Sequence, residues 1–168
     1  MKTKLVSIVS LIFGFLLGVV FSGIAISISA GEMMVKEFVS PYNFEKTVNV
    51  MEKRINEKDG WHVTEIIDQN AEVKANGGFD IGNFKIIKYC HGGYSARMLS
   101  ADDRKLIGNM MPKSFAIYEK SDGKVFVSTM NGGIMGKLFG GEIETIIEEV
   151  SLEVEQMMQF INLKYTLF

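Results

Sequence analysis

The chain has 168 residues, with 18 basic and 20 acidic side chains, a formal net charge of −2 and a single cysteine, Cys90. Beyond an apolar N-terminus, roughly 140 residues remain, enough for one domain with its own core and too few for two. No run of Lys or Arg forms the stripe that phosphate neutralisation needs, so nucleic acid is not an expected partner, and one cysteine excludes an intrachain disulfide and leaves compartment unread from cysteine usage.

From Leu5 to Ile28 the chain is uncharged over 24 residues. As a helix such a run rises about 36 Å, against a hydrocarbon core of about 30 Å. A secretory apolar region is shorter, about 7 to 15 residues, so residues 1–30 are expected to form a retained single-pass anchor; the small residues Ser27 to Ala30 leave cleavage and secretion as the alternative. Lys2 and Lys4 precede the span, which places the N-terminus in the cytoplasm and residues 31–168 outside the cytoplasmic membrane. Gly14 and Gly18 form a Gly-x-x-x-Gly pair that would let two spans approach as a homodimer, although glycine is common in membrane helices in any case.

In the domain, Val35 to Ser40 reads as a short strand ended by Pro41, which has no donor for a ladder. Phe44, Val48, Met51 and Ile55 recur at three and four, with Asn43 as N-cap and Asp59-Gly60 as stop, predicting a helix over residues 43–58. Trp61 to Asp68 alternates as a strand. Asn70 to Asn83 is a polar connection with room for a short helical turn, and Phe84 to Cys90 is a third strand. Tyr94 to Leu99 and Asp102 to Asn109 read as helices, the second capped by Ser100 or Asp102 and turning Leu106 and Ile107 inward. Ser114 to Lys120 and Lys124 to Met130 flank Ser121-Asp122-Gly123, a β-hairpin signature.

Asn131-Gly132-Gly133 breaks the pattern before a short helix over Ile134 to Phe139, which Gly140-Gly141 ends. Ile143, Ile146, Ile147, Val150, Val154, Met157, Met158 and Ile161 then lie along one stripe of a long helix. The expected fold is α+β: a two-layer sandwich of a largely antiparallel sheet with helices on one face, preceded by the transmembrane helix. No Gly-x-Gly-x-x-Gly, Walker loop or Cys-x-x-Cys-His is present, so the sequence names no cofactor.

Several landmarks occur together: Asp59-Gly60-Trp61 after a helix, Tyr89-Cys90-His91 at a strand end, the Ala96 to Leu99 helix, Met111-Pro112, and a hairpin followed by Asn131, Phe139 and Gly140-Gly141. In this order they resemble the family known as domain of unknown function 302, over about Phe44 to Val154. The resemblance implies a small α+β domain, often exported or membrane-attached in bacteria and archaea, with no agreed activity. Members often carry Cys-Asn-Pro where this chain has Cys90-His91-Gly92, and Pro-Cys where it has Pro112-Lys113. The second cysteine is missing here, and with it the basis for two-thiol chemistry.

The candidate binding residues are Cys90, His91, Gly92 and Gly93 at a strand end, and Pro112 and Lys113 at the mouth of the hairpin. A thiol beside an imidazole can be activated, glycines let a ligand approach the backbone, and Lys113 offers a cation to an anion. The structural alternatives are a buried cysteine, a packed histidine and a lysine that guards a strand edge. His62 reads as a surface or satisfied histidine. Met98, Met110, Met111, Met130, Met135, Met157 and Met158, together with Cys90, would suit a soft ion such as Cu(I), but methionine more often fills core gaps. Glu144, Glu148 and Glu149 read as the wet face of the last helix. The expected function is therefore a membrane-anchored extracytoplasmic domain that binds a small molecule or a redox or sulfur ligand in a pocket between Cys90 and Pro112. The alternatives are an assembly module of an envelope complex and a thiol enzyme using Cys90.

Overall fold

The computed structural model describes residues 2–162; within that range the side chains of residues 2–6, 8–9, 24–30, 32 and 162 are not described. The chain divides into two units, Met1–Met34 and Val35–Phe168. In the first, α1 (Lys2–Met34) is one continuous helix. The described apolar side chains of its middle, Leu11 to Phe21, are exposed. Among the described residues no helix is long and apolar enough to cross a membrane. The side chains of Leu5 and Ile28, the expected limits of the span, lie outside the described residues. Gly14 and Gly18 lie within them, with nothing within 4 Å of the position a Cβ would take.

The second unit is built on five strands: β1 (Val35–Val39), β2 (Trp61–Asp68), β3 (Phe84–His91), β4 (Lys113–Glu119) and β5 (Val125–Met130). They form one sheet in the order β1-β5-β4-β3-β2, every pair antiparallel. The hairpin β4–β5 turns at Asp122-Gly123. Gly123 sits at φ 74°, in the left-handed region that glycine enters without a Cβ clash, and its N–H donates to the Lys120 carbonyl at 2.9 Å.

The helices are α2 (Phe44–Asn56), α3 (Gln69–Ala75), α4 (Gly92–Leu99), a 3₁₀ helix (Asp102–Met110), α5 (Gly132–Phe139), α6 (Gly141–Met157) and α7 (Gln159–Asn162). The Asn43 side chain caps α2 by accepting from Lys46 N–H at 3.0 Å. Met51 and Ile55 of α2, fully buried, meet Ile87 and Tyr89 of β3, Phe115 and Ile117 of β4, and Ile146 and Val150 of α6 in one core. Each such side chain, once buried, contributes about 1.5–3 kcal/mol. The α+β fold with its antiparallel five-stranded sheet is as the alternation and the helical stripe predict.

Three local expectations need correcting. Asp102 to Met110 is a 3₁₀ helix, with about three residues per turn, so only Ile107 turns inward while Leu106 is 60% exposed; neither Ser100 nor Asp102 caps it with a side chain. Gly132 and Gly133 lie inside α5 rather than before it, because α5 docks so closely on α6 that a Cβ on Gly132 would stand 1.9 Å from the Ser151 hydroxyl. The last helical stripe is interrupted at Met158, and Ile161 belongs to α7.

Candidate functional site

Strand parity decides which candidates meet. On β3, Ile87 and Tyr89 face the helices, and Tyr89 pairs across β4 with Lys113. Lys113 therefore points into the helix layer beside Tyr89, on the same face as Phe115 and Ile117. Cys90, one residue on, faces the other way, opposite His62 of β2. Its thiol lies 3.0 Å from the Ser95 hydroxyl, and it is half-buried.

His91 returns to the helix side and has a structural task. It is the N-cap of α4, where its Nδ1 accepts the Tyr94 N–H at 3.2 Å. Its ring packs edge-on against Trp61 at 5.2 Å and tilted against Tyr94 at 4.5 Å. Gly60, at φ 74°, leaves room for this ring: a Cβ there would lie 2.1 Å from His91 Nε2. Gly92 and Gly93 form the exposed first turn of α4. Trp61 Nε1 and the Tyr94 hydroxyl both donate to Glu153, at 2.5 and 2.9 Å, tying β2 and α4 to α6. Burial pushes the Glu153 carboxyl up, but these two hydrogen bonds, together with the charges of Lys58 and His91, outweigh it and leave the group below its ordinary value.

A cavity of about 120 Å³ opens where β4 begins and β5 ends, between the sheet and the helices. Lys113 and Thr129 stand on its sheet side, Met98 and Met135 come from α4 and α5, and Ile146 and Val150 come from α6. Met110, Met111 and Met130 complete a wall of five thioethers. Pro112 also lines it, after a cis peptide bond from Met111. Of the candidate residues, then, Pro112 and Lys113 reach the cavity; Cys90, His91, Gly92 and Gly93 do not.

Lys113 is the one lysine or arginine in this lining, and no carboxylate lines it. Among the described residues its ammonium makes no ion pair, while Lys36, Lys53, Lys58, Lys74, Lys85, Lys88, Lys105, Lys120 and Lys124 all do. Burial without a counter-charge pushes its pKa down to about 8. Its strand partner Tyr89 is fully buried, its ring stacked on Phe115 at 4.7 Å. The Tyr89 hydroxyl makes no hydrogen bond of normal geometry among the described residues. Burial raises its pKa, and the nearby Thr129 hydroxyl offsets that only in part. Thr129 itself donates to the Ser114 carbonyl at 3.3 Å.

The sequence pointed to Lys113 but not to its surroundings. Tyr89 and Thr129 carry no local signal beyond strand alternation, and the methionines come from segments far apart in the chain.

No curated protein matches the chain. Among solved structures, it is similar to the crystal structure of an uncharacterised conserved DUF302 protein from Bacillus stearothermophilus. The TM-score is 0.67 at 14% identity, over 77% of this chain and 98% of that one. At that identity the likeness speaks for the fold alone. The model of the family described as domain of unknown function DUF302 matches residues 36–161, most of the chain, and the protein belongs to that family.

Proposed function

We propose that this protein is a membrane-tethered binding domain that holds a small, largely apolar molecule in the cavity beside Lys113. The observation that carries the reading is the cavity itself: five methionines and branched aliphatic side chains around a lysine that no carboxylate neutralises. Flexible thioethers adapt to a guest, and an apolar enclosure with a few polar groups at one side is the usual form of a small-molecule site. The test is native mass spectrometry of the full chain extracted in mild detergent, beside Val150→Phe, which fills the cavity. The expected result is a retained compound that is absent from V150F. The reading fails if the wild type carries nothing and no member of a small-metabolite library raises its melting temperature.

The tether rests on the uncharged run from Leu5 to Ile28 and on Lys2 and Lys4 before it. It holds the N-terminus in the cytoplasm and the domain outside. Retention of the chain in the membrane pellet after an alkaline carbonate wash is expected; release into the supernatant refutes it.

A second reading, an assembly module, is favoured by the sheet face opposite α2 and α6. There Phe84, Tyr118 and Phe126 stack across three strands at 5.2 and 6.0 Å while only partly covered. It predicts oligomers of the detergent-solubilised chain in sedimentation that Tyr118→Lys dissolves.

A further inference from the structure

We infer that the molecule held beside Lys113 is a small organic monoanion, a short aliphatic carboxylate, seated with its charged end against the ammonium. This rests on the cavity being a binding site and names the class of its ligand. The side chains around that end of the cavity carry no negative charge. Lys113 brings an ammonium, and Ser114 and Thr129 bring hydroxyls, that of Thr129 already donating to the Ser114 carbonyl; Tyr89, the cross-strand partner of Lys113, does not line the cavity.

A half-buried ammonium in an apolar cavity without a counter-charge is costly to leave unmatched. What it lacks is an acceptor carrying negative charge. One carboxylate has two oxygens, enough to accept from the ammonium and from a neighbouring hydroxyl together. A neutral amide or alcohol answers the hydroxyl but leaves the cation uncompensated.

Thioethers alone would suit a soft monovalent metal. Here an ammonium shares the space and repels a second cation, and no carboxylate lines the cavity to offset it. The methionines are therefore the wall for a hydrocarbon tail. The cavity, about 120 Å³, is somewhat smaller than the roughly 150 Å³ apolar cavity that accommodates benzene. The guest is thus limited to a chain of a few carbons.

The test is calorimetric titration of the full chain in detergent with acetate, butyrate and hexanoate, and with butyramide and butylamine as neutral and cationic analogues of butyrate. Butyrate is expected to bind at least tenfold more tightly than butyramide, with butylamine silent. Lys113→Met, which keeps the length and apolar stem of the side chain, is expected to reduce butyrate affinity at least tenfold while leaving butyramide within about twofold. Equal binding of butyrate and butyramide, or unchanged butyrate affinity in K113M, overturns the anion assignment and leaves the cavity as a binding site. No binding by any carboxylate also overturns it. Ag⁺ bound in preference to every organic probe, and lost in Met98→Leu, overturns it in favour of a thioether metal site.

Discussion

Replacing Lys113 with methionine should make the ligand-free protein more stable, and the gain should fade as the pH is raised. The Lys113 pKa is held near 8 against an ordinary 10.5. A tenfold loss of proton affinity corresponds to about 1.4 kcal/mol, so the protonated lysine carries a penalty of about 3 kcal/mol in the folded state. The sign follows from proton counts. Between pH 8 and 10.5 the unfolded chain keeps a proton on Lys113 that the folded chain has lost, so wild-type stability rises with pH across that window. Below pH 8 both states are protonated and the full penalty applies.

K113M removes the penalty at every pH while its thioether fills the same volume. It should exceed wild type by about 2–3 kcal/mol at pH 7, roughly 6–10 °C in melting temperature for a domain of this size. By pH 10.5 the two should nearly coincide. Tyr89, Tyr94 and Tyr118 also titrate on the alkaline side, but they are common to both proteins and cancel in the difference. Urea denaturation at pH 7 and pH 10.5 measures the gap. A K113M less stable than wild type at pH 7, or a gap that does not change with pH, would refute the reasoning.

Gly132→Ala places a methyl 1.9 Å from the Ser151 hydroxyl, which donates to the Ile147 carbonyl at 2.6 Å. Chemical denaturation should show a loss of about 1–3 kcal/mol, and most of it should return in the double variant with Ser151→Ala, which clears the space. Cys90→Ser exchanges one weak contact with Ser95 for another on the side of the sheet away from the cavity. Its stability should change by less than about 1 kcal/mol, and calorimetry should show butyrate affinity unchanged.

The fold was legible where the signals are local. Trp61 to Asp68 and the two arms of the hairpin fall where alternation and Asp122-Gly123 put them, because strand period and turn chemistry act within a few residues. Gly132 and Gly133 misled because low helix propensity was overridden by packing: the missing Cβ that weakens a free helix is what lets α5 lie against α6. The site was half legible for a related reason. Phe84 to His91 is apolar on both faces, with Ile86 and Cys90 on one side and Ile87 and Tyr89 on the other. Its parity could not be fixed without the neighbouring strands, and a slip of one residue exchanges Cys90 for Tyr89 at the core. The convergence of Met98, Met110, Met111, Met130 and Met135 on one cavity depends on contacts between α4, the 3₁₀ helix, α5 and the sheet. No window of sequence contains it.

A bound carboxylate should also make Lys113 harder to deprotonate, which gives the affinity itself a pH dependence. Binding needs the ammonium, and the free protein loses that proton as the pH rises through about 8. The other titratable group lining the cavity is Tyr94, whose hydroxyl is committed to Glu153 and whose pKa is raised, by burial first and by that carboxylate second. Tyr89 is raised as well and stays neutral. Both shifts move the tyrosines further from the range in which Lys113 titrates, and the carboxylate probe stays ionised throughout. Butyrate affinity should be level from pH 6 to about 7.5 and then weaken, approaching a tenfold loss for each further step of one in pH above the free lysine's pKa. Calorimetry at pH 6.5, 8 and 9.5 in buffers of matched ionic strength tests this. A flat profile to pH 9.5 would mean that the carboxylate is held by hydroxyls and hydrocarbon alone, and that Lys113 is a spectator in the wall. A decline that persists in K113M would assign the titration to a group outside the cavity.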